Sequence, residues 1–222
     1  NHSIGQLKTR TPTFNMGKVF INTEPVRQNF EIQNTGSTPL EISSTEKPKW
    51  ISISHPGKLK PGERGLLKIQ YDGKLRNSYG FHSDQIVLHT NDPIEPDKHF
   101  TVMATVEEFF SVLNPEELEK QPRLSLSASD LNFGSVRDSV ISKEIILRNS
   151  GKQPLMIRAL IPNCVCLNAA VSTNALEPGK STKLNLKFLP GSRTGRQNKS
   201  VLIYSNDPVH PVQRVSLTGI IR

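Results

Sequence analysis

Ile32-Gln-Asn-Thr-Gly-Ser-Thr-Pro-Leu40 returns later in the chain as Leu147-Arg-Asn-Ser-Gly-Lys-Gln-Pro-Leu155. The asparagines of the two stretches are 115 residues apart, and the same spacing separates the Asn-Asp-Pro of 91–93 from that of 206–208. Landmarks that recur in order at a constant spacing indicate an internal duplication. The sequence therefore predicts two copies of one domain.

Two more turn motifs support the duplication at a spacing of 117 residues. An Asn-x-Gly motif occurs at 15–17 and 132–134, and a Pro-Gly motif occurs at 61–62 and 178–179. The spacing drifts by only two residues over the length of a copy, so both copies are predicted to share one order of elements.

Each copy is predicted to be all-β. The stretch 183–188 alternates polar and apolar side chains, which is the pattern of a strand with one buried face. Residues with turn chemistry separate such runs, and about seven short strands in each copy, spaced near ten residues, predict an immunoglobulin-like sandwich of antiparallel strands. The predicted strands are 28–33, 39–43, 66–71, 85–90 and 99–106 in the first copy, and 142–147, 183–188, 199–204 and 212–220 in the second.

A short helix is predicted between the copies. Asn114 is a capping residue, Pro115 occupies the first helical position, and acidic residues fill the first turn. We therefore predict a first sandwich at 1–106, a partly helical connector at 107–123 and a second sandwich at 124–222.

Composition limits the classes of function. The net charge is +8, but lysine and arginine are dispersed and aromatic residues make up only 6% of the chain, so nucleic-acid binding is not expected. Apolar runs are too short for a transmembrane segment. Because the sequence begins at Asn1, with neither a Met nor a charged and apolar leader, we expect a mature or trimmed chain whose targeting segment has been removed.

The motif order in the second copy resembles a known family. Asn-Phe-Gly, Asn-Ser-Gly-x-x-Pro-Leu, Cys-x-Cys, Pro-Gly, Phe-x-Pro and Ser-Asn-Asp-Pro follow one another between Asn132 and Pro208. This order resembles the bacterial family called domain of unknown function 1573, which is related to Hydin-like, abnormal-spindle-type and major-sperm-protein-type immunoglobulin-like domains. The resemblance spans 10–106 and 124–222, and it implies a seven-stranded sandwich exported from bacteria, without established catalytic residues.

A non-catalytic role is expected from the motifs as well. The chain has no nucleophile elbow, His-Glu-x-x-His motif, phosphate-binding glycine loop or dinucleotide fingerprint. We expect no cofactor and a structural or protein-interaction module, located in the periplasm or at the cell surface, secreted or lipid-anchored through a removed segment. The expected partner is another protein of the cell envelope, with an anionic polysaccharide as the alternative.

The repeated loops are the first candidate binding site. In an immunoglobulin-like sandwich, these loops are predicted to lie at one end of each domain, where a partner can reach them. The candidate residues are Asn34, Thr35, Asn91, Asp92, Asn149, Ser150, Asn206 and Asp207.

Cys164 and Cys166 are the only cysteines of the chain, and the family usually has glycine where Val165 separates them. On an extended strand their Cα atoms would lie farther apart than a disulfide prefers, so a bridge requires a local kink. Three hypotheses remain open: buried free thiols, a local disulfide of structural or redox-labile character, and a site for a soft metal ion such as Cu(I) or Zn(II).

A second metal hypothesis concerns the hairpin around the first Asn-Asp-Pro motif. If His89 and His99 face each other across the hairpin, Asp97 shares their face and a zinc ligand set results. The alternative is a solvated hairpin without a metal.

Basic residues and the single tryptophan supply two further hypotheses. Residues 124–222 hold 13 Lys and Arg against 5 Asp and Glu, which predicts a basic face for an anionic partner or, alternatively, a merely solvated one. Trp50 is either a core aromatic or the exposed platform of a glycan-binding module. The basic residues are Lys183, Lys187, Arg193, Arg196 and Lys199.

Overall fold

The computed structural model describes residues 2–137 and 139–222. The chain divides into two compact units, Asn1–Phe109 and Phe110–Arg222. Each unit has its own apolar core.

The first unit consists of short strands that form two sheets. One sheet has the order β1-β2-β4-β8-β6 and the other has the order β3-β10-β9-β5-β7. The elements are β1 His2–Ile4, β2 Leu7–Thr9, β3 Thr13–Phe20, β4 Val26–Asn34, β5 Leu40–Glu46, β6 Ile51–Ser54, β7 Lys58–Leu59, β8 Arg64–Tyr71, α1 Gly73–Arg76, β9 Gly80–Thr90 and β10 Asp97–Glu107.

The second unit repeats this design. Its sheets have the orders β11-β13-β17-β15 and β12-β19-β18-β14-β16. The elements are α2 Pro115–Glu119, β11 Leu124–Leu126, β12 Asp130–Val136, β13 Ile141–Asn149, β14 Leu155–Pro162, β15 Leu167–Val171, β16 Ala175–Leu176, β17 Ser181–Phe188, β18 Gly195–Ser205 and β19 Val212–Ile221.

The predicted all-β, immunoglobulin-like class is confirmed, and all the predicted strands form. Alternation works as expected in β17, where every second side chain from Thr182 to Phe188 is buried. The described residues of each unit contain more than seven strands, because the first strand of each sandwich is divided between the two sheets and because the two-residue strands β7 and β16 are added at sheet edges.

The Asn-x-Gly motif has a structural cause in both units. Gly17 adopts a φ of 72° and its N–H donates to the side chain of Asn15 at 2.8 Å, and Gly134 at a φ of 73° donates to Asn132 at 2.7 Å. The turn lies where β3 and β12 shift register against their parallel neighbours. A left-handed conformation of this kind favours glycine.

The predicted helix is present as α2. Asn114 and Glu117 form a reciprocal capping box, and Pro115 begins the helix. Neither helix in the described part of the chain combines the length and apolar character needed to cross a membrane.

Candidate functional site

The repeated asparagines Asn34 and Asn149 are fully buried. The amide of Asn34 donates to the carbonyl oxygens of Thr38 at 2.8 Å and Leu59 at 3.0 Å, and its oxygen accepts the N–H of Gly36. Asn149 repeats the pattern with the residues at the equivalent positions of the second unit. Each buried side chain therefore stabilises the turn that follows it, at 34–38 in the first unit and at 149–153 in the second.

The repeated aspartates accept backbone N–H groups near the start of their own unit, in the turn between β1 and β2 in the first unit and in β11 in the second. Asp92 is buried and accepts the N–H of Gln6 at 2.7 Å, and Asp207 accepts the N–H of Leu124 at 3.0 Å. Each aspartate also caps its own turn, because Ile94 donates to Asp92 at 3.0 Å and Val209 donates to Asp207 at 2.9 Å.

The charged partner of Asp92 is Lys98. The ammonium group of Lys98 is fully buried and lies 2.5 Å from the carboxylate of Asp92. Burial alone raises the pKa of Asp92, but the hydrogen bonds from Gln6 and Lys98 outweigh it and lower the pKa to about 2. At the position of Lys98 the second unit has Gln213, whose amide donates to the carbonyl of Leu124.

The remaining loop candidates also bind their own backbone. Asn91 accepts the N–H of Glu41 at 2.8 Å, and Asn206 accepts the N–H of Met156 at 2.6 Å. The hydroxyl of Thr35 donates to Gln6 at 3.1 Å. The hydroxyl of Ser150 donates to Arg123 at 3.5 Å. The structure brings the predicted loop residues together at one end of each unit, four in the first and four in the second. Their polar atoms form hydrogen bonds within the same unit.

Cys164 and Cys166 are joined by a disulfide. They lie in a turn between β14 and β15, where the chain crosses from one sheet to the other, and their Cα atoms are 5.2 Å apart. The kink that a bridge requires is therefore present, and the hypothesis of free thiols is wrong for this structure. Val165, at the tip of the turn, is 97% exposed.

At the equivalent turn of the first unit, Trp50 takes the place of the disulfide. Asp72 donates its N–H to the carbonyl of Trp50, as Leu189 does to that of Cys166. The indole N–H of Trp50 donates to Asp84 at 3.1 Å, and the guanidinium carbon of Arg76 lies 4.1 Å from the ring centroid. Because Trp50 is partly buried against the core and its ring contacts a cation, it is not a free platform for a sugar.

Asp84 is the centre of this buried network. The hydroxyl of Tyr71 donates to it at 2.7 Å, and Arg76 lies 3.7 Å away. Burial and the hydrogen bond with Asp84 raise the pKa of Tyr71. Lys199 occupies the equivalent place in the second unit, where its ammonium group lies 5.6 Å from the ring centroid of Phe188.

The expected facing of His89 and His99 is wrong. The register places Asp97 opposite His89 and Val87 opposite His99. Asp97 lies 2.7 Å from Nδ1 of His89, and Glu46 lies 3.2 Å from Nε2. Since the two carboxylates bind opposite edges of the ring, they do not converge on one point. No group of three or more metal-ligating side chains occurs in the described ranges 2–137 and 139–222.

The five predicted basic residues do not share one sheet. Lys183 and Lys187 point outward from β17, and Lys183 pairs with Glu144 at 2.9 Å. Arg196 and Lys199 lie on β18, in the other sheet. Arg193 lies in the turn before β18, where its side chain donates to the carbonyl of Pro190 at 3.0 Å.

A cleft in the first unit was not predicted from the sequence. It has a volume of about 740 Å³ and lies between the free edge of β4 and the crossover that carries the chain from β2 to β3. The crossover is fixed by Thr11 and Pro12: Thr9 donates to the carbonyl of Thr11, and Thr101 donates to that of Pro12. The lining includes Lys8, Arg10, Phe14, Asn29, Phe30 and Arg64.

The floor of the cleft is aromatic and its rim is basic. The ring centroids of Phe14 and Phe30 are 4.5 Å apart in a stacked arrangement. Arg10 and Arg64 are exposed at the rim, and Arg64 pairs with Glu31 at 3.1 Å. The sequence signal was Arg-Thr-Pro-Thr at 10–13, in which proline ends one strand and allows the next to begin in the other sheet.

Comparison with known families agrees with the sequence resemblance. Residues 124–221 match the family described as Protein of unknown function (DUF1573), and residues 5–105 match the HYDIN/CFA65/VesB-like, Ig-like domain. The predicted resemblance is confirmed. No curated protein matches the chain significantly.

Three solved structures are similar to this chain to different degrees. A protein of unknown function from Porphyromonas gingivalis W83 is 18% identical over 97% of this chain and 100% of that one, with a TM-score of 0.65. The ASH/PapD-like domain of human CEP192 is 13% identical over 52% of this chain and 94% of its own, with a TM-score of 0.39. The CupB2 chaperone of Pseudomonas aeruginosa is 10% identical over 97% and 100%, with a TM-score of 0.36. The similarity to the Porphyromonas structure supports the fold and no statement about function.

Proposed function

We propose that this chain is a non-catalytic protein-interaction module in an exported bacterial protein. Residues 5–105 match a HYDIN/CFA65/VesB-like immunoglobulin-like domain, and residues 124–221 match DUF1573. The proposed organisation is a first sandwich at 1–106, a connector at 107–123 and a second sandwich at 124–222. The partner is another protein of the cell envelope, and the module lies in the periplasm or at the cell surface.

The cleft of the first unit is the observation that carries this proposal. The repeated motifs stabilise the fold, so their side chains are already engaged, whereas the cleft combines exposed apolar and basic surface. Leu66 at its rim is 46% exposed. A concave surface with an aromatic floor and charged groups at the rim is typical of a binding site.

The disulfide between Cys164 and Cys166 supports the export part of the proposal. Such bonds persist in oxidising compartments, including the bacterial periplasm and the cell surface, and are rare in the cytosol.

Photo-crosslinking in the native cell tests the proposal. A photoreactive phenylalanine replaces Leu66 at the cleft, and the matched control carries it at Leu75, which is 52% exposed in the same unit but does not line the cleft. We expect a protein adduct at position 66 that is absent at position 75. A carbohydrate adduct at position 66, or equal labelling at both positions, would contradict the proposal.

A further inference from the structure

The ladder of the first sheet is incomplete at β4. Strand β2 pairs only with the last three residues of β4, from Ile32 to Asn34, before the chain leaves for the other sheet. Within the described part of the chain, the remaining stretch 26–31 pairs with β8 alone. Its second edge faces the cleft, so one row of backbone hydrogen-bonding groups is open to a partner.

The hydrogen-bond pattern identifies which groups are open. Asn34 donates its N–H to Glu63 on the β8 side, and Thr35 donates to Gln6 on the β2 side. Because N–H groups alternate between the two edges of an antiparallel strand, odd-numbered residues of β4 point to the β2 side. The N–H and C=O groups of Arg27, Asn29 and Glu31 therefore lie on the open edge, and Asn29 and Glu31 also line the cleft.

The second unit covers one more residue of its equivalent edge. Ser127 donates its N–H to the carbonyl of Ile146 at 2.9 Å, and its hydroxyl accepts the N–H of Ile146 at 2.9 Å. Arg10 occupies the equivalent position in the first unit but lies at the cleft rim, next to the crossover. The edge of β4 is thus left open one position earlier than that of β13.

Side chains around the open edge define the chemistry of a guest strand. Its inward side chains would contact the partly buried ring of Phe30, which stacks on the buried Phe14 and favours apolar residues. Its outward side chains would lie on a face rich in cations, because Glu31 is already paired with Arg64. The exposed cations on that face are Lys68, opposite Asn29, together with Arg10 and Arg27.

From these features we infer that the first unit binds an extended, acidic segment of its partner by β-strand addition to β4 at 26–31. The bound segment continues the ladder on β4 beyond the point where β2 ends, places alternate apolar residues against Phe30 and places Asp or Glu beside the cations. Main-chain hydrogen bonds supply binding, and the alternate side chains supply selectivity. This inference rests on the proposed function and adds the chemical class of the partner segment.

Selection from a displayed library of random decapeptides on the full-length chain tests the inference. We expect enriched peptides in which apolar residues alternate with Asp or Glu. Their affinity should fall at least tenfold for Asn29→Pro, which removes an N–H from the open edge without removing a bond to β8. It should also fall severalfold for Arg27→Glu, whereas the control Lys74→Glu, with the same change of charge at an exposed position of α1, should leave it unchanged.

Modified peptides keep the test independent of protein folding. N-methyl groups along the edge of an enriched peptide that pairs with β4 should abolish binding, and N-methyl groups along its other edge should be tolerated. The inference is overturned if no peptide is enriched, if the peptides lack the alternation, or if binding survives both Asn29→Pro and methylation of either edge. A protein that crosslinks at position 66 but is insensitive to these changes would overturn strand addition and leave the proposed function standing.

Discussion

Asp92, in the turn after β9, accepts a hydrogen bond of 2.7 Å from the backbone N–H of Gln6, 86 residues earlier in the chain. Asp207 makes a similar bond, one residue further along, to the N–H of Leu124 in the second unit. The Asn-Asp-Pro motif therefore holds the start of each sandwich in place, at the turn between β1 and β2 in the first unit and at β11 in the second, and its recurrence reflects stability.

Replacing Asp92 with Asn should strongly destabilise the first unit. The change leaves the ammonium group of Lys98 buried without its counter-ion, which costs about 3–5 kcal/mol. Urea unfolding followed by the fluorescence of Trp50, the only tryptophan, measures the first unit selectively. Asp207→Asn is the matched control; it lies in the second unit, which has Gln213 at the position of Lys98, and should leave the Trp50 transition unchanged. Equal unfolding midpoints for Asp92→Asn and the unmodified protein would contradict this role.

Lowering the pH should remove the contribution of Asp92 to the unfolding free energy of the first unit. Its pKa is lowered from 3.8 to about 2, so the stabilisation is complete above pH 4 and is lost as the pH falls through 2. The difference in unfolding free energy between the unmodified protein and Asp92→Asn, measured by Trp50 fluorescence, should therefore shrink between pH 4 and pH 2. A difference that stays constant over this range would show that the pKa is not lowered.

The substitution Gly219→Ala should destabilise the second unit, and the additional substitution Phe133→Met should restore its stability. A Cβ atom at position 219 would lie 2.4–2.6 Å from ring atoms of Phe133, and overpacking of this kind costs about 1–3 kcal/mol. The first unit has Met16 and Ala104 at the equivalent positions. The pair Gly219→Ala with Phe133→Met should therefore recover stability, as judged by hydrogen exchange of the β17 amides. If adding Phe133→Met does not restore the hydrogen-exchange protection of the β17 amides, the ring of Phe133 is not the cause of the destabilisation.

Removing the disulfide should weaken the second unit only modestly. A bridge between Cys164 and Cys166 closes a very short loop, so its loss costs about 1–2 kcal/mol. The double substitution to Ser should lower the thermal midpoint of the second unit by about 5–10 °C. The fluorescence transition of Trp50 is the internal control and should not move. Complete loss of protection in β17 would show that the disulfide is required for folding.

The pKa of His89 should lie above 6.5. The hydrogen bond with Asp97 is the main cause, and the contact with Glu46 acts in the same direction. Any stabilisation from this group is present below pH 6.5 and is lost as the pH rises through the raised pKa. Titration of the imidazole by NMR should show the pKa falling in Asp97→Asn. An unchanged value would contradict the contact.

The duplication could be predicted because turn motifs are local. Asn34 and Asn149, or Gly17 and Gly134, satisfy backbone groups within a few residues of themselves, so their spacing shows in the sequence. Alternation in strands such as β17 is equally local. These features determine the fold class without reference to distant contacts.

The candidate site could not be predicted because it depends on pairing over long distances. The cleft exists because β2 pairs with only three residues of β4, a register that no local pattern reports. The facing of His89 and Asp97 depends on the hairpin register in the same way. The burial of Lys98 depends on the carboxylate of Asp92, which also accepts an N–H from Gln6 in the turn between β1 and β2.

Amide hydrogen exchange along β4, with and without a selected acidic peptide, tests the open edge most directly. In the free chain we predict fast exchange at Arg27, Asn29 and Glu31 and slow exchange at Gln28 and Phe30, with the first three becoming protected when the peptide binds. Equal protection of all five amides in the free chain, or no change at the three odd-numbered positions on binding, would contradict strand addition at this cleft.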